Sequence, residues 1–544
     1  MNIVDKNNLN KEVLKMDGQK QNKIAFLRTH KNLLWLSLFF LLGVLIRIYK
    51  LGEHNLWYDE FLSLKYVRDF RFLDRDYNPP FYYMLLSFWI RYFGPTLAKF
   101  FDGEFILRSL SMIFGIISIP LIYKLGKLFF NTSVGLISAF ILSISPIHIW
   151  YSQEARGYSL STLLVMLIVY SFIMALKKKT VFFWISFVLS STLALFTNYF
   201  SLFIIILVGI LFFLRSYRLS LKYYLLSLCF ILIFFLPLLP SIFQKIPRIK
   251  HVFSFWIPKP HLNSIVITFK NLNVGFNATP QIYSLSFTIF SLFFILGILF
   301  WWKEKRQELI SFISFIFIPI IITFLISKKM SIYLDRQIML FSPFYYIIIA
   351  AGLASIKMRS TKIAAYLSIC LPIVFCLHNY FSYHMPLPSS HHIGVHQKKP
   401  VKPAADYINS WFKDGDLVAY SDVSIIPILF YLPDIPSKQI AYFFIESKIR
   451  NSGYSYDRLK ELQKSRLQTA GDSNIINLEE ESGIPGVKNL KDLDFKKVWL
   501  ISSSWARDGK LEPHVEAVRE FMQNNFVLLE TKEFDGIFVD LFGS

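Results

Sequence analysis

Acid is the scarce charge in this chain. Asp and Glu supply 37 of the 544 residues against 58 Lys and Arg, which leaves a formal net charge of +21. Cysteine is scarcer still: Cys229, Cys370 and Cys376 all lie in apolar segments, which excludes a disulfide framework and a cysteine metal quartet. No internal repeat and no low-complexity tract is visible, and the repeated halves of many transporters are therefore missing. A cleavable leader is also not expected. About thirty polar residues precede the first apolar run, and Tyr49-Lys50-Leu51-Gly52 does not resemble a small-residue cleavage site, so the run is expected to remain as an anchor.

What the chain has in quantity is apolar surface. Hydrophobic residues make up 54%, with 56 Phe among them. They collect in runs such as Leu33–Tyr49 and Phe200–Leu214, close to the ~20 residues a bilayer crossing needs. The basic residues sit in short tracts between these runs, the placement that the positive-inside bias produces. No basic face with interleaved aromatics stands apart from them, so nucleic acid is not an expected partner.

Seven basic residues, Lys6 to Lys31, precede the first span against Asp5, Glu12 and Asp17, so the N-terminus is expected in the cytoplasm. Spans are expected near 33–49, 105–123, 132–150, 158–176, 180–197, 200–214, 223–240, 282–301, 309–326, 338–354 and 363–381. The inward loops then hold Lys124 and Lys127, Lys177–Lys179, Arg215 to Lys222, Lys303 to Arg306, and Lys357 to Lys362. Every one is basic. Counting Pro79–Phe93 as a further span would reverse all later loops, so it is expected to lie along the outer interface, anchored by Tyr82, Tyr83, Trp89 and Arg91. The expected fold is an α-helical polytopic membrane protein of about 11 transmembrane helices with a structured outer loop (50–104) and a C-terminal extracytoplasmic α/β domain. Its divisions are a cytoplasmic tail (1–32), a membrane domain (33–384) and the α/β domain (385–544), in which 450–492 is expected to be a long loop.

Because acids are rare in the membrane half, their placement is informative. The first outer loop opens with Asn55-Leu56-Trp57-Tyr58-Asp59-Glu60, two adjacent carboxylates among aromatics at interface depth. An ordinary solvated pair is the plain alternative to a general base at a membrane-surface site. A second cluster, Tyr151-Ser152-Gln153-Glu154-Ala155-Arg156, follows the third span on the same side. There the plain alternative is a helix corner with a local Glu154–Arg156 pair, and for Arg336 a local pair with Asp335. Arg47 and Arg108, near the outer ends of spans one and two, are expected to snorkel. Outer loop 241–281, with Lys245, Arg248, Lys250, Lys259 and Lys270 and no acid, suits either lipid-phosphate attraction or a solvated loop.

Together these segments resemble the GT-C superfamily of membrane glycosyltransferases, specifically bacterial relatives of protein O-mannosyltransferase and lipid A aminoarabinose transferase. The resemblance rests on Trp57-Tyr58-Asp59-Glu60, Asp76-Tyr77-Asn78-Pro79-Pro80-Phe81-Tyr82-Tyr83, Phe105-Ile106-Leu107-Arg108-Ser109, Ser145-Pro146 leading into Gln153-Glu154-Ala155-Arg156, and more weakly Tyr333-Leu334-Asp335-Arg336. It covers the chain to about residue 381. It implies transfer of a sugar from a polyprenyl-phosphate donor, in the bilayer, to an acceptor hydroxyl on a glycolipid, protein or envelope polymer at the outer face, with inversion. Asp59 matches the family's catalytic aspartate, with Glu60 beside it. Arg156 and Arg336 are the guanidinium candidates for the donor phosphate, and Tyr58, Asn78 and Gln153 the lining residues. Many relatives carry His where this chain has Asn78, so no proton role is expected there. Glu154, with Glu60, is the candidate ligand set for a divalent cation, Mg²⁺ or Mn²⁺. The rival classes are a transporter or flippase, an oligosaccharide ligase, and a non-catalytic descendant. Span centres nearly free of charge weigh against the transporter, and an intact Asp59 against the last.

Overall fold

The structure is a computed structural model that describes residues 30–68, 77–214, 221–246, 257–387, 391, 393, 395, 401–421, 423–432, 435, 440–444, 474–477, 495–503 and 513–543. The basic N-terminal tail, Asp76, Arg248, Lys250 and most of 450–492 lie outside the described residues.

Among the described residues, seven helices are long and apolar enough to cross a membrane, or eight when one bent pair counts as a span. They are α1 (His30–Ile48), α4 (Gly103–Phe129), the bent pair α5 (Thr132–Ile144) and α6 (Pro146–Ser152), α7 (Tyr158–Lys178), α10 (Leu221–Ile246), α12 (Pro280–Ser327), α13 (Asp335–Ser355) and α14 (Arg359–Phe381). Shorter helices α8 (Val181–Leu195) and α9 (Leu202–Leu214) lie between them. Helix α12 is one helix only nominally. Lys305 leaves helical geometry at φ −130°, ψ 31°, and the rings of Phe294 and Phe317 are 6.2 Å apart. A straight helix would separate those two by about 34 Å, so α12 folds back as a hairpin. Both arms pack on α13, where a Cβ on Gly297 would meet the Ile348 carbonyl and one on Gly352 the Phe293 carbonyl. Small residues let these backbones touch.

The 58° bend between α5 and α6 has a specific cause. Pro146 has no N–H for the Leu142 carbonyl, and the bend also frees that of Ser143. The guanidinium of Arg47 fills both places, donating to Leu142 O at 3.0 Å and Ser143 O at 2.9 Å, and it also donates to Gly43 O and Ser152 Oγ. Hydrocarbon supplies no such donor, so the break stands because α1 brings one. Arg47 is wholly buried and does not snorkel.

Cross-bundle hydrogen bonds show which helix ends lie together. Gln153 Nε2 donates to the carbonyls of Arg47 and Tyr49, and Tyr380 OH donates to Gln153 Oε1. Asn379 donates to Asn277 O, and Asn198 to Gln337 Oε1. The loops expected on one side thus meet at one end of the bundle. At the opposite end Lys124 lies over the Tyr170 ring, and Phe130 stacks edge-on to Trp301.

At the first end, α2 (Tyr58–Arg68) and α3 (Phe81–Leu97) form the loop between α1 and α4. Tyr82 and Tyr83 of α3 are buried rather than interfacial anchors, and Trp89 donates to Ser109 Oγ and Ile106 O of α4. Met84, Phe88 and Tyr92 are the exposed face of α3. Loop 241–281 contains a helix, α11 (Leu262–Val274), with Phe269 and Leu272 buried.

The C-terminal region is a six-stranded sheet of order β3-β2-β1-β4-β6-β5. Strands β1 (Leu417–Tyr420), β2 (Ile440–Phe444), β3 (Asn474–Asn477) and β4 (Lys497–Ser503) are parallel. Strands β5 (Val527–Phe534) and β6 (Ile537–Gly543) form an antiparallel hairpin on one edge. Val418, Tyr420, Trp499 and Ile501 pack under α15 (Val401–Trp411). The alternate residues Leu417, Ala419, Val498 and Leu500 pack under α16 (Pro513–Asn525). Burial on both faces is what a parallel sheet requires. One expectation needs correction: Asn474–Asn477, inside the segment read as loop, adds an edge strand. Strands β5 and β6 are joined by a tight turn, with Asp535 and Gly536 at φ 43° and 81°.

Candidate active site

Helix α2 turns about 100° per residue, so Tyr58, Asp59 and Glu60 leave it in three directions. Tyr58 and Phe61 pack against the core of the C-terminal sheet. Glu60 points the other way, wholly buried, and makes a two-pronged pair with Arg108 of α4: Nε to Oε1 at 2.7 Å and Nη2 to Oε2 at 2.8 Å. The Ala155 N–H adds a third donor at 3.1 Å. Arg108 in turn donates to the carbonyls of Leu51, His54 and Asn55, so the chain leaving α1 is clamped around one guanidinium. Arg108 is a buried brace, not a snorkelling residue.

Asp59 faces a partly open space at the bundle end, its side chain 16% exposed. Arg336, in the first turn of α13, donates to Asp59 Oδ2 at 3.1 Å. The neighbour Asp335 does not take that guanidinium, because Thr268 and Asn271 of α11 hold its carboxylate. Asn271 is itself oriented by Tyr283 OH at 2.6 Å. The Arg156 guanidinium donates to Tyr83 OH at 2.8 Å and reaches Ser63 Oγ and the Asp59 carbonyl at 3.4 Å. Arg336 sits 6.0 Å from the Tyr158 ring centre and Arg156 5.8 Å from that of Tyr83. The two guanidiniums are close enough to repel each other.

A small polar cavity adjoins it, lined by Asn78, Tyr82, Tyr83, Arg156, Tyr158 and Asn198 among others. Asn78 and Arg156 therefore share one wall. Gln153 faces away from it, clipping α1 to α14 through the three bonds above. The Glu154 carboxylate accepts the Trp150 indole N–H at 2.6 Å. Glu154 and Glu60 do not assemble a cation site: both Glu60 oxygens are committed to Arg108, and no group of three His, Cys, Asp or Glu with metal spacing occurs among the described residues. Thr268, Asn271 and Tyr283 were invisible as site residues because they lie in a segment read as loop and at its far boundary.

One further contact joins the two halves of the molecule. Tyr431, following the 3-10 turn Val423–Phe430, accepts the Leu56 N–H at 3.0 Å and donates to Glu104 Oε1 at 3.0 Å. Burial pushes its phenol up from its ordinary pKa, which keeps it a donor.

Residues 79–240 match the family profile described as dolichyl-phosphate-mannose-protein mannosyltransferase. No curated protein matches the chain by sequence. Among solved structures, ArnT from Cupriavidus metallidurans in the apo state superposes with TM-score 0.58 at 13% identity, over 93% of this chain and 97% of that one. The same protein bound to undecaprenyl phosphate gives 0.57 at 12%, over 93% and 98%. The Archaeoglobus fulgidus oligosaccharyltransferase tethered to an acceptor peptide gives 0.50 at 14%, over 94% of this chain and 74% of that one. The chain is a multi-pass membrane protein whose fold is similar along nearly its whole length to that of ArnT.

Proposed function

We propose that this protein is a glycosyltransferase that moves a sugar from a polyprenyl-phosphate carrier to an acceptor hydroxyl at the outer face of the membrane, with Asp59 as general base and inversion at the sugar carbon. The observation that carries the reading is Asp59 beside Arg336, with Arg156 adjoining, at the bundle end that α2 and the sheet domain cover. The matched family profile and the likeness to ArnT, one structure of which holds undecaprenyl phosphate, support a lipid-phosphate donor. Basic tracts at the opposite bundle end support a cytoplasmic N-terminus and an extracytoplasmic sheet domain.

In this reading the acceptor oxygen attacks the sugar's anomeric carbon as its proton passes to Asp59. The bond to the phosphate oxygen breaks, and its electron pair leaves on the phosphate. A carboxylate is a weak base, so orientation and charge stabilisation supply most of the acceleration. Arg336 and Arg156 receive the growing phosphate charge, and the planar fork of arginine suits them to it. Arg336 then serves both partners: it holds Asp59 in place and binds the leaving group. Glu60 is a brace in this scheme rather than a second catalytic acid, and Gln153 a clip rather than a lining residue. Asn78 lines the site without moving a proton.

The test is transfer of labelled sugar from polyprenyl-phosphate donors in purified membranes, wild type against Asp59→Asn. The expected loss is about 10²–10⁴-fold. Undiminished transfer in the variant removes the assignment of the base.

A further inference from the structure

Helix α2 is only 11 residues long, below the ~12–15 at which an isolated helix becomes stable in water, so its position depends on what it packs against. On the bundle side the hold is the Arg108 clamp on Glu60. On the other side it is the C-terminal sheet domain, whose core takes Tyr58 and Phe61, the residues one before and two after Asp59. The same domain reaches the chain entering α2 through Tyr431, whose buried hydroxyl accepts from Leu56 N and donates to Glu104 at the first turn of α4. Asn409 of α15 donates to the Tyr431 carbonyl at 2.9 Å, and the Phe430 ring lies edge-on against Tyr431 at 5.0 Å, so the phenol is presented from a fixed backbone. One hydroxyl thus ties three parts together: the sheet domain, the start of the Asp59 helix, and the helix that carries Arg108.

We infer that Tyr431 is a positioning residue for Asp59, and that the C-terminal domain is the upper half of the clamp that aims this carboxylate. The inference rests on the proposed role of Asp59 but is separable from it. A phenol that fixes the α2 entry acts on the rate of transfer, since it touches neither guanidinium of the donor corner. The domain is then a working part of the transfer site.

The experiment uses full-length protein in membranes or detergent. In Tyr431→Phe, which keeps the ring and deletes the hydroxyl, kcat falls about tenfold while the donor KM is unchanged. In Glu104→Gln alone, where an amide oxygen still accepts from the Tyr431 hydroxyl, most of the wild-type rate is kept. Tyr431→Phe added to Asp59→Asn costs nothing further, because both act through one carboxylate. Amide hydrogen exchange across residues 58–68 is faster in Tyr431→Phe than in wild type, a readout that stands whether or not any donor is turned over. Wild-type kcat, a change confined to KM, a fully additive loss in the double variant, or unchanged exchange over α2 would each overturn the inference. Loss of transfer in wild type itself would count against the proposed function alone.

Discussion

Asp59 and Glu60 are neighbours in sequence and opposites in environment. Glu60 is fully buried and takes two prongs of Arg108 together with backbone N–H groups, including that of Ala155. Asp59 is partly open and meets Arg336 through a single oxygen at 3.1 Å. Both are carboxylate–arginine pairs. In the first, every strong donor position around the anion is filled, so the pair has no capacity to take up a proton or a new ligand without breaking the fold. In the second, the Asp59 carboxylate is partly exposed and can be reached from the space beside it. Burial and saturation mark the structural pair, and partial exposure the pair proposed to react. The about 100° helical step between adjacent residues is what allows one short helix to carry both.

Breaking the saturated pair is expected to have the largest effect. Glu60→Gln leaves Arg108 charged and buried without its counter-ion, a loss of about 3–5 kcal/mol for a pair of this type. Thermal unfolding in detergent should show a clearly lowered transition, and transfer should be lost with the fold rather than at constant fold. A normal melting temperature with abolished transfer would reverse the comparison and return Glu60 to the chemistry. Arg336→Lys should do the opposite: stability close to wild type, with transfer reduced about tenfold to a hundredfold, because an ammonium keeps the charge and loses the planar fork. Equal transfer in the lysine variant would show that Arg336 only holds Asp59.

Much of this architecture was legible from the sequence because membrane burial imposes few choices. Apolar runs and basic tracts gave helix ends whose grouping the cross-bundle hydrogen bonds reproduce, Gln153 to Tyr49 and Asn198 to Gln337 among them. The Arg336–Asp59 contact was not legible: 277 positions separate the two, and local pairing with Asp335 was the nearer choice until Thr268 and Asn271 are seen to occupy that acid. Helix α11 was passed over because lysines dominate its surroundings, although Leu262, Ile265, Phe269 and Leu272 recur at helical spacing. Arg47 and Arg108 were misjudged for a physical reason. A cation near a span end snorkels when water is its best partner, but a proline break and a buried carboxylate offered better ones.

Gln153 gives the smallest and sharpest version of the same contrast. It stands between Ser152 and Glu154 in the very segment that carries Arg156, and by sequence it lines the site. In the fold its amide turns backwards, donating to Arg47 O and Tyr49 O and accepting from Tyr380 OH. Gln153→Leu preserves bulk and strands two carbonyls and a hydroxyl, at about 1–2 kcal/mol for buried groups left unmet. The expected result is a lowered unfolding temperature with donor KM and kcat per folded molecule unchanged. A raised KM at wild-type stability would mean that the amide reaches substrate, and that the bundle end opens further during turnover than the clip between α1 and α14 permits.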